Sequence, residues 1–177
     1  NIISMTDQNI ILIGPMGSGK STIGQLLANR LNRDFFDSDH YIEQKTGVDI
    51  PTIFDIEGEE GFRTRETKAL EELSSQKKLV IATGGGSVIR KENQQLLKST
   101  GFIIFLDTSV NQQMARLKHD KKRPLLQTDN PREKLEKLFA ERKPIYIELA
   151  DLRIRTDRKF ARKVASEIIP LLPGNLT

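Results

Sequence analysis

Ile10-Ile11-Leu12-Ile13-Gly14-Pro15-Met16-Gly17-Ser18-Gly19-Lys20-Ser21-Thr22 decides the fold. Four consecutive aliphatic residues read as a strand buried on both faces, the habit of a parallel sheet. Gly14 stops the strand, and Gly14 to Ser21 fit G-x-x-x-x-G-K-[ST]. Ile23, Leu26, Leu27 and Leu31 then recur at helical spacing, which predicts a helix over 20–31. Strand, glycine-rich turn and helix in this order aim backbone N–H groups and a helix N-terminus at an anion. Lys20 is placed to reach the β- and γ-phosphates of a nucleotide, and the Ser21 hydroxyl to ligate Mg²⁺. Gly17, Ser18, Gly19, Lys20, Ser21 and Thr22 are thus the candidate nucleotide-binding residues. The loop does not say what receives the phosphate.

Outward from this loop, apolar runs and helical patterns alternate. Phe35 and Phe36 lead into Asp37-Ser38-Asp39, a strand end and turn, and Tyr41 and Ile42 sit in a short helix closed by Thr46-Gly47. Residues 51–75 read as helical, broken at Gly58 and Gly61. Leu79-Val80-Ile81-Ala82 is a second buried strand, stopped by Thr83-Gly84-Gly85-Gly86. A helix fits 90–99, and Phe102 to Leu106 is a third buried strand. Ser109 with Gln112 forms a capping-box pattern, and Asn130-Pro131-x-Glu133 reads as cap, first-turn proline and acidic first turn. Leu152 to Arg155 is a last strand, followed by a helix over 160–169. The alternation predicts one α/β domain over 1–177 with a mainly parallel sheet. Residues 1–8 read as a frayed terminus, with Met5 one candidate for the native start.

Composition narrows the class. The 177 residues are 37% hydrophobic and 29% charged, an ordinary globular balance. There is no cysteine, hence no disulfide, thiolate nucleophile or zinc-cysteine site. His40 and His119 show no metal-ligand spacing. The N-terminus does not read as a secretory signal, and no apolar run is long enough to span a bilayer. A cytoplasmic protein with no membrane partner is expected. The net charge of +4 is uneven: residues 1–115 hold 12 Lys/Arg and 15 Asp/Glu, residues 116–177 hold 16 and 9. The excess peaks at Arg116-Leu117-Lys118-His119-Asp120-Lys121-Lys122-Arg123, where proline at 124 disfavours helix. This stretch reads either as a solvated loop or as a segment that closes over phosphates. No aromatic residue interleaves with it, which argues against nucleic acid.

Six motifs in order make a more specific pattern. The loop is followed by Asp37-Ser38-Asp39, Gly58-Glu59-x-x-Phe62-Arg63-x-x-Glu66, Thr83-Gly84-Gly85-Gly86, Arg123-Pro124-Leu125-Leu126 and Arg142-x-Pro144-x-Tyr146. Together, from Ile10 to about Ile169, they resemble the shikimate kinase family of P-loop, nucleoside-monophosphate-kinase-like folds. The resemblance implies a five-stranded parallel sheet of order 2-3-1-4-5 with helices on both faces. It also implies a substrate-binding segment near 37–66 and a lid near 116–130. The implied activity is ATP-dependent phosphorylation of the 3-hydroxyl of shikimate, a step of chorismate and aromatic amino-acid biosynthesis. A monomer is expected.

The resemblance also assigns roles. Arg63 and Arg142 take the substrate carboxylate, a task suited to guanidinium forks. Asp39 takes the ring hydroxyls. Gly84, Gly85 and Gly86 allow close approach, with the Gly85 N–H donating to substrate. Asp37 stands beside Mg²⁺, while Ser21 binds it directly. Arg123 reaches the ATP phosphates from the lid, and Arg116 stacks on adenine. Where the family often has a proline near the adenine, this chain has Thr156-Asp157-Arg158-Lys159-Phe160, with Lys159 the candidate contact. Taken singly, each residue has a plainer reading. Asp37 and Asp39 are turn and cap residues, the glycines a tight turn, Arg63 a partner of Glu59 or Glu66, and Arg142 a solvated helix residue. A kinase for gluconate or a nucleoside monophosphate, and a nucleotide-binding regulator without catalysis, are the competing functions.

Overall fold

The computed structural model describes residues 7–118 and 128–177. The elements run β1 (Asn9–Ile13), α1 (Lys20–Leu31), β2 (Asp34–Asp37), α2 (Ser38–Thr46), α3 (Ile50–Ser74) and β3 (Leu79–Ala82). They continue with α4 (Lys91–Thr100), β4 (Gly101–Asp107), α5 (Val110–Leu117), α6 (Pro131–Leu149), β5 (Leu152–Arg155) and α7 (Ala161–Ile168). All strand pairs are parallel, in the order β2-β3-β1-β4-β5 that the resemblance implied. Among the described residues, no helix is long and apolar enough to cross a membrane.

β1 is central, and all five of its residues are buried. Its alternating side chains feed two cores. Ile10 and Leu12 pack with Ile23 and Leu27 of α1 and Val164 and Ile168 of α7. Ile11 and Ile13 pack on the other face with Leu70 of α3, Leu97 of α4 and Tyr146 of α6. Each such aliphatic side chain contributes about 1.5–3 kcal/mol on burial. A carboxylate placed at Ile11 would be stranded between sheet and helices and would unfold the chain.

This order places the reversal of chain winding beside β1. In open parallel sheets, ligands bind at such a point, beyond the carboxyl ends of the strands. Three loops meet there: the glycine-rich loop after β1, the Asp37 turn after β2 and the triple-glycine turn after β3.

Two local expectations need correction. Gly61 does not break α3; the non-helical residue is Gly58 alone, with φ 73° and ψ −179°. The helix resumes at once because the three residues after Gly58 are Glu59, Glu60 and Gly61, followed by Phe62, which anchors the new turn in a small core with Ile42 and Ile53. The Ser109 capping box is only half formed. Ser109 Oγ accepts from the Gln112 N–H at 3.2 Å. The Ser109 N–H, however, donates to Asp157 Oδ1 at 2.9 Å, so the stronger carboxylate acceptor replaces Gln112. By contrast, Asn130 Oδ1 caps α6 as expected, accepting from Glu133 N–H at 3.2 Å. Of the expected lid, only residues 116–118 and 128–130 are described, and Arg123 lies outside the described residues.

Candidate active site

The glycine-rich loop wraps its own lysine. Lys20 Nζ donates to the carbonyls of Gly14 at 2.7 Å and Pro15 at 2.8 Å, and approaches Ser18 Oγ at 3.3 Å. The ammonium is thus held above the loop at the start of α1, where helix dipole and N–H groups already favour an anion. Gly17 and Gly19 both take positive φ, as the loop's tight winding requires.

Asp37 ends β2 and divides its two oxygens. Oδ1 caps α2, accepting from the N–H groups of Asp39 at 2.9 Å and His40 at 3.1 Å. Oδ2 accepts from the Ser21 hydroxyl across the mouth of the loop. The plain cap reading therefore holds for Oδ1, while Oδ2 pairs with Ser21, the other residue expected beside Mg²⁺. A serine hydroxyl beside a carboxylate is a hard oxygen pair of the kind Mg²⁺ takes. Among the described residues, no cluster of three or more His, Cys, Asp or Glu is placed to hold a metal ion. A cation at Ser21 and Asp37 would complete its shell from phosphate and water.

The triple-glycine turn faces this pair. The Gly84 N–H donates to Ser38 Oγ at 3.1 Å, which ties β3's loop to the start of α2. A Cβ on Gly84 would lie 2.8 Å from Asp39 Oδ1 and 3.0 Å from Glu66 Oε2, so only glycine leaves room for these carboxylates. Arg63 and Glu66 lie one turn apart on α3, and the guanidinium reaches Glu66 Oε1 at 2.9 Å. Glu59 stands 3.6 Å from the same arginine. The helix-face pairing expected of Arg63 taken singly is real, yet Arg63 is buried and rests against Gly86.

Arg142 departs most from its plain reading. It is 5% exposed rather than solvated, and no carboxylate among the described residues lies within ion-pair distance. Its Nε has no hydrogen-bond partner. Burial lowers its pKa from the usual value, with Tyr146, Arg63 and Glu66 the charged or polar groups around it. A Cβ on Gly85 would stand 3.4 Å from Arg142 Nη1, so this guanidinium faces the middle glycine. A buried cation with no carboxylate at ion-pair distance is costly, and a ligand carboxylate would offset that cost.

Lys20, Asp37, Asp39, Gly84, Gly85 and Arg116 line one hollow of about 210 Å³. A second hollow of about 540 Å³ adjoins it at Gly19, Thr22 and Arg116, and extends to Lys159 and Phe160. Arg116 Nη1 donates to the Gly17 carbonyl at 3.0 Å, which holds the guanidinium at the seam. Burial lowers the Arg116 pKa, opposed by the Asp157 charge. Lys159 borders the second hollow, but its ammonium donates to the Arg155 carbonyl at 2.9 Å and to Glu167 at 2.8 Å. Three site neighbours escaped the sequence reading. Ser38 and Ser87, both fully buried, hold Gly84 and Glu66 respectively, and Tyr146 closes the Arg142-x-Pro144-x-Tyr146 motif, which by itself implies no role for it. For Ser38 the signal was its position between two aspartates.

Sheet order, loop and hollow together define the three-layer fold of the P-loop kinases. The sequence profile of shikimate kinase matches residues 16–173. Shikimate kinase of Vibrio campbellii is 54% identical over 165 residues, covering 93% of this chain and 96% of that protein. Shikimate kinase of Vibrio cholerae is 53% identical over 169 residues, with 96% and 97% covered. The solved structure of shikimate kinase from Acinetobacter baumannii in complex with shikimate superposes with a TM-score of 0.92 at 51% identity, covering 94% of this chain and 93% of that one. The chain belongs to the shikimate kinase family.

Proposed function

We propose that this chain transfers the γ-phosphoryl group of ATP to the 3-hydroxyl of shikimate, releasing ADP and shikimate 3-phosphate. Family membership supports the activity. The observation that carries the substrate assignment is Arg142, a buried guanidinium with no carboxylate partner among the described residues, facing the glycine turn opposite Arg63. Arg63 and Arg142 do not line the hollow itself but lie behind its glycine turn, at Gly86 and Gly85. A small acid carrying several hydroxyls suits the pair of sites, with its carboxylate on the arginines and its hydroxyls on Asp39.

The chain's residues then act mainly by positioning and charge. Lys20 and the loop N–H groups hold the β- and γ-phosphates, with Arg123 joining them by family resemblance. Arg116, fixed by Gly17, borders the adenine, and Thr22 and Lys159 lie in the same hollow. Arg63 and Arg142 orient the acceptor, and the glycines at 84, 85 and 86 let it approach the backbone. Asp39 orients the hydroxyl and accepts its proton as that oxygen bonds to the γ-phosphorus and the bond to ADP breaks. Mg²⁺, held by Ser21 and through water by Asp37, would neutralise charge on the phosphates. A cytoplasmic, monomeric setting completes the proposal. ADP release measured with shikimate, with gluconate and with neither acceptor tests it. Strong release on shikimate alone is expected; equal release on gluconate would overturn the acceptor assignment.

A further inference from the structure

Tyr146 lies one turn beyond Arg142 on α6 and is wholly buried. Its ring packs on Phe105 with centroids 5.0 Å apart at 30°. Its hydroxyl donates to the carbonyl of Gly85 at 2.5 Å, joining residues 61 positions apart. Burial pushes its pKa up to about 12, so the donor proton stays in place at neutral pH. The Arg142 guanidinium lies beside the same oxygen.

The partner matters because Gly85 is the middle of three glycines. Successive glycines have no Cβ to restrict them, so their peptide planes rotate freely unless something holds them. Ser38 holds the Gly84 N–H, and Tyr146 holds the Gly85 carbonyl. The carbonyl shares its peptide plane with the Gly86 N–H, and Arg63 rests on Gly86. One phenol therefore touches both sides of the acceptor pocket: the turn carrying Gly85 and Gly86, and the guanidinium of Arg142.

We infer that Tyr146 is a positioning residue, whose hydroxyl sets the spacing between the Arg142 guanidinium and the Gly85–Gly86 peptide and so tunes capture of the acceptor's carboxylate. The inference rests on the function proposed above. A purely structural tyrosine would need only its ring, which Phe105 and the surrounding core already embrace. Tyr146→Phe keeps the ring and removes the link. It leaves a buried carbonyl and a buried guanidinium edge short of a partner, while the bonds from Ser87 N–H to the Gly84 carbonyl and from Ile89 N–H to the Gly86 carbonyl remain to hold the fold of the turn.

The test is steady-state kinetics of the full chain with both substrates varied, alongside thermal melting. Leu97→Val serves as a packing defect on the same face of the sheet. For Tyr146→Phe, the shikimate KM should rise about tenfold, about the effect of one lost hydrogen bond, while the ATP KM stays within about twofold. For Leu97→Val, Tm should fall with both KM values within about twofold of the parent. If Tyr146→Phe behaves like Leu97→Val, losing Tm but not shikimate affinity, the inference is overturned. It is equally overturned if both variants raise the shikimate KM alike, since the effect would then be general loosening. A parent enzyme that releases no ADP in response to shikimate would instead overturn the function proposed, and this inference with it.

Discussion

Arg63 and Glu66 form an ion pair in the interior, 2.9 Å from Nη1 to Oε1, with Glu66 entirely shielded from solvent. The other carboxylate oxygen accepts from Ser87 Oγ at 3.0 Å, and the Ser87 carbonyl accepts from Asn93 at 2.9 Å. Arg63 is thus the end of a chain of contacts that begins on α4.

Glu66→Gln keeps the shape and deletes the charge. Arg63 then loses its buried counter-ion, and the new side-chain amide presents an N–H₂ where an acceptor stood. Stability should fall by about 2 kcal/mol, the scale of a hydrogen bond to a charged group. The shikimate KM should rise more than the ATP KM, because Arg63 loses its orientation. Urea unfolding and two-substrate kinetics read these effects. Unchanged stability would mean that the pair contributes nothing.

Lys20→Ala should leave the fold intact, since the ammonium's bonds to Gly14, Pro15 and Ser18 all stay within its own loop. Loss of a donor aimed at charge that develops in the transition state should lower kcat by about 10²–10³-fold. Near-normal kcat would refute the phosphate role of the loop.

Arg142→Met makes the opposite pair of predictions. The guanidinium is desolvated without a carboxylate at ion-pair distance, and the more distant Glu66 offsets only part of that cost, so an apolar side chain of similar length should stabilise the ligand-free chain, by about 1 kcal/mol. Shikimate use should nevertheless collapse, with the KM up by at least about a hundredfold. A variant both less stable and still active would show that the arginine is structural.

Alkaline pH offers a check on Tyr146. Its folded pKa lies near 12 against an ordinary 10.0, so the fold favours the neutral phenol. Its contribution is complete below the unfolded value and is lost as pH rises through the folded one. Tyr41, raised likewise to about 12 by its bond to Glu72, loses stability in the same window and is common to both proteins. From about pH 10 to 12 the parent should lose on the order of 1–2 kcal/mol more than Tyr146→Phe. Denaturant midpoints at stepped pH measure this, and parallel curves would contradict it.

The sequence made the sheet and the phosphate loop legible because both are local. An apolar run, a glycine stop and a helical repeat sit within the first 31 residues. Strand order came through family resemblance, since periodicity carries no pairing information. Burial of Arg142 could not be read, because α6 is rich in charge and its inward stripe holds an arginine where an apolar residue would be expected. The Tyr146–Gly85 link joins distant positions and leaves no spacing signal. Asp37 shows another limit: sequence does not divide a carboxylate's two oxygens, of which one caps α2 and the other accepts from Ser21. Gly61 stays helical against expectation because a helix tolerates glycine when the next turn is anchored, here by Phe62.

Gly58 sets a different kind of constraint. Nothing lies within 4 Å of where its Cβ would be, so any side chain would fit by volume. Its φ of 73° with ψ of −179° nevertheless belongs to a region that L-residues avoid. What restricts this position is therefore handedness and not room. Any other ribosomally encoded residue at position 58 would carry about 1–3 kcal/mol of backbone strain, whereas a D-alanine introduced by chemical synthesis should be accepted there without loss.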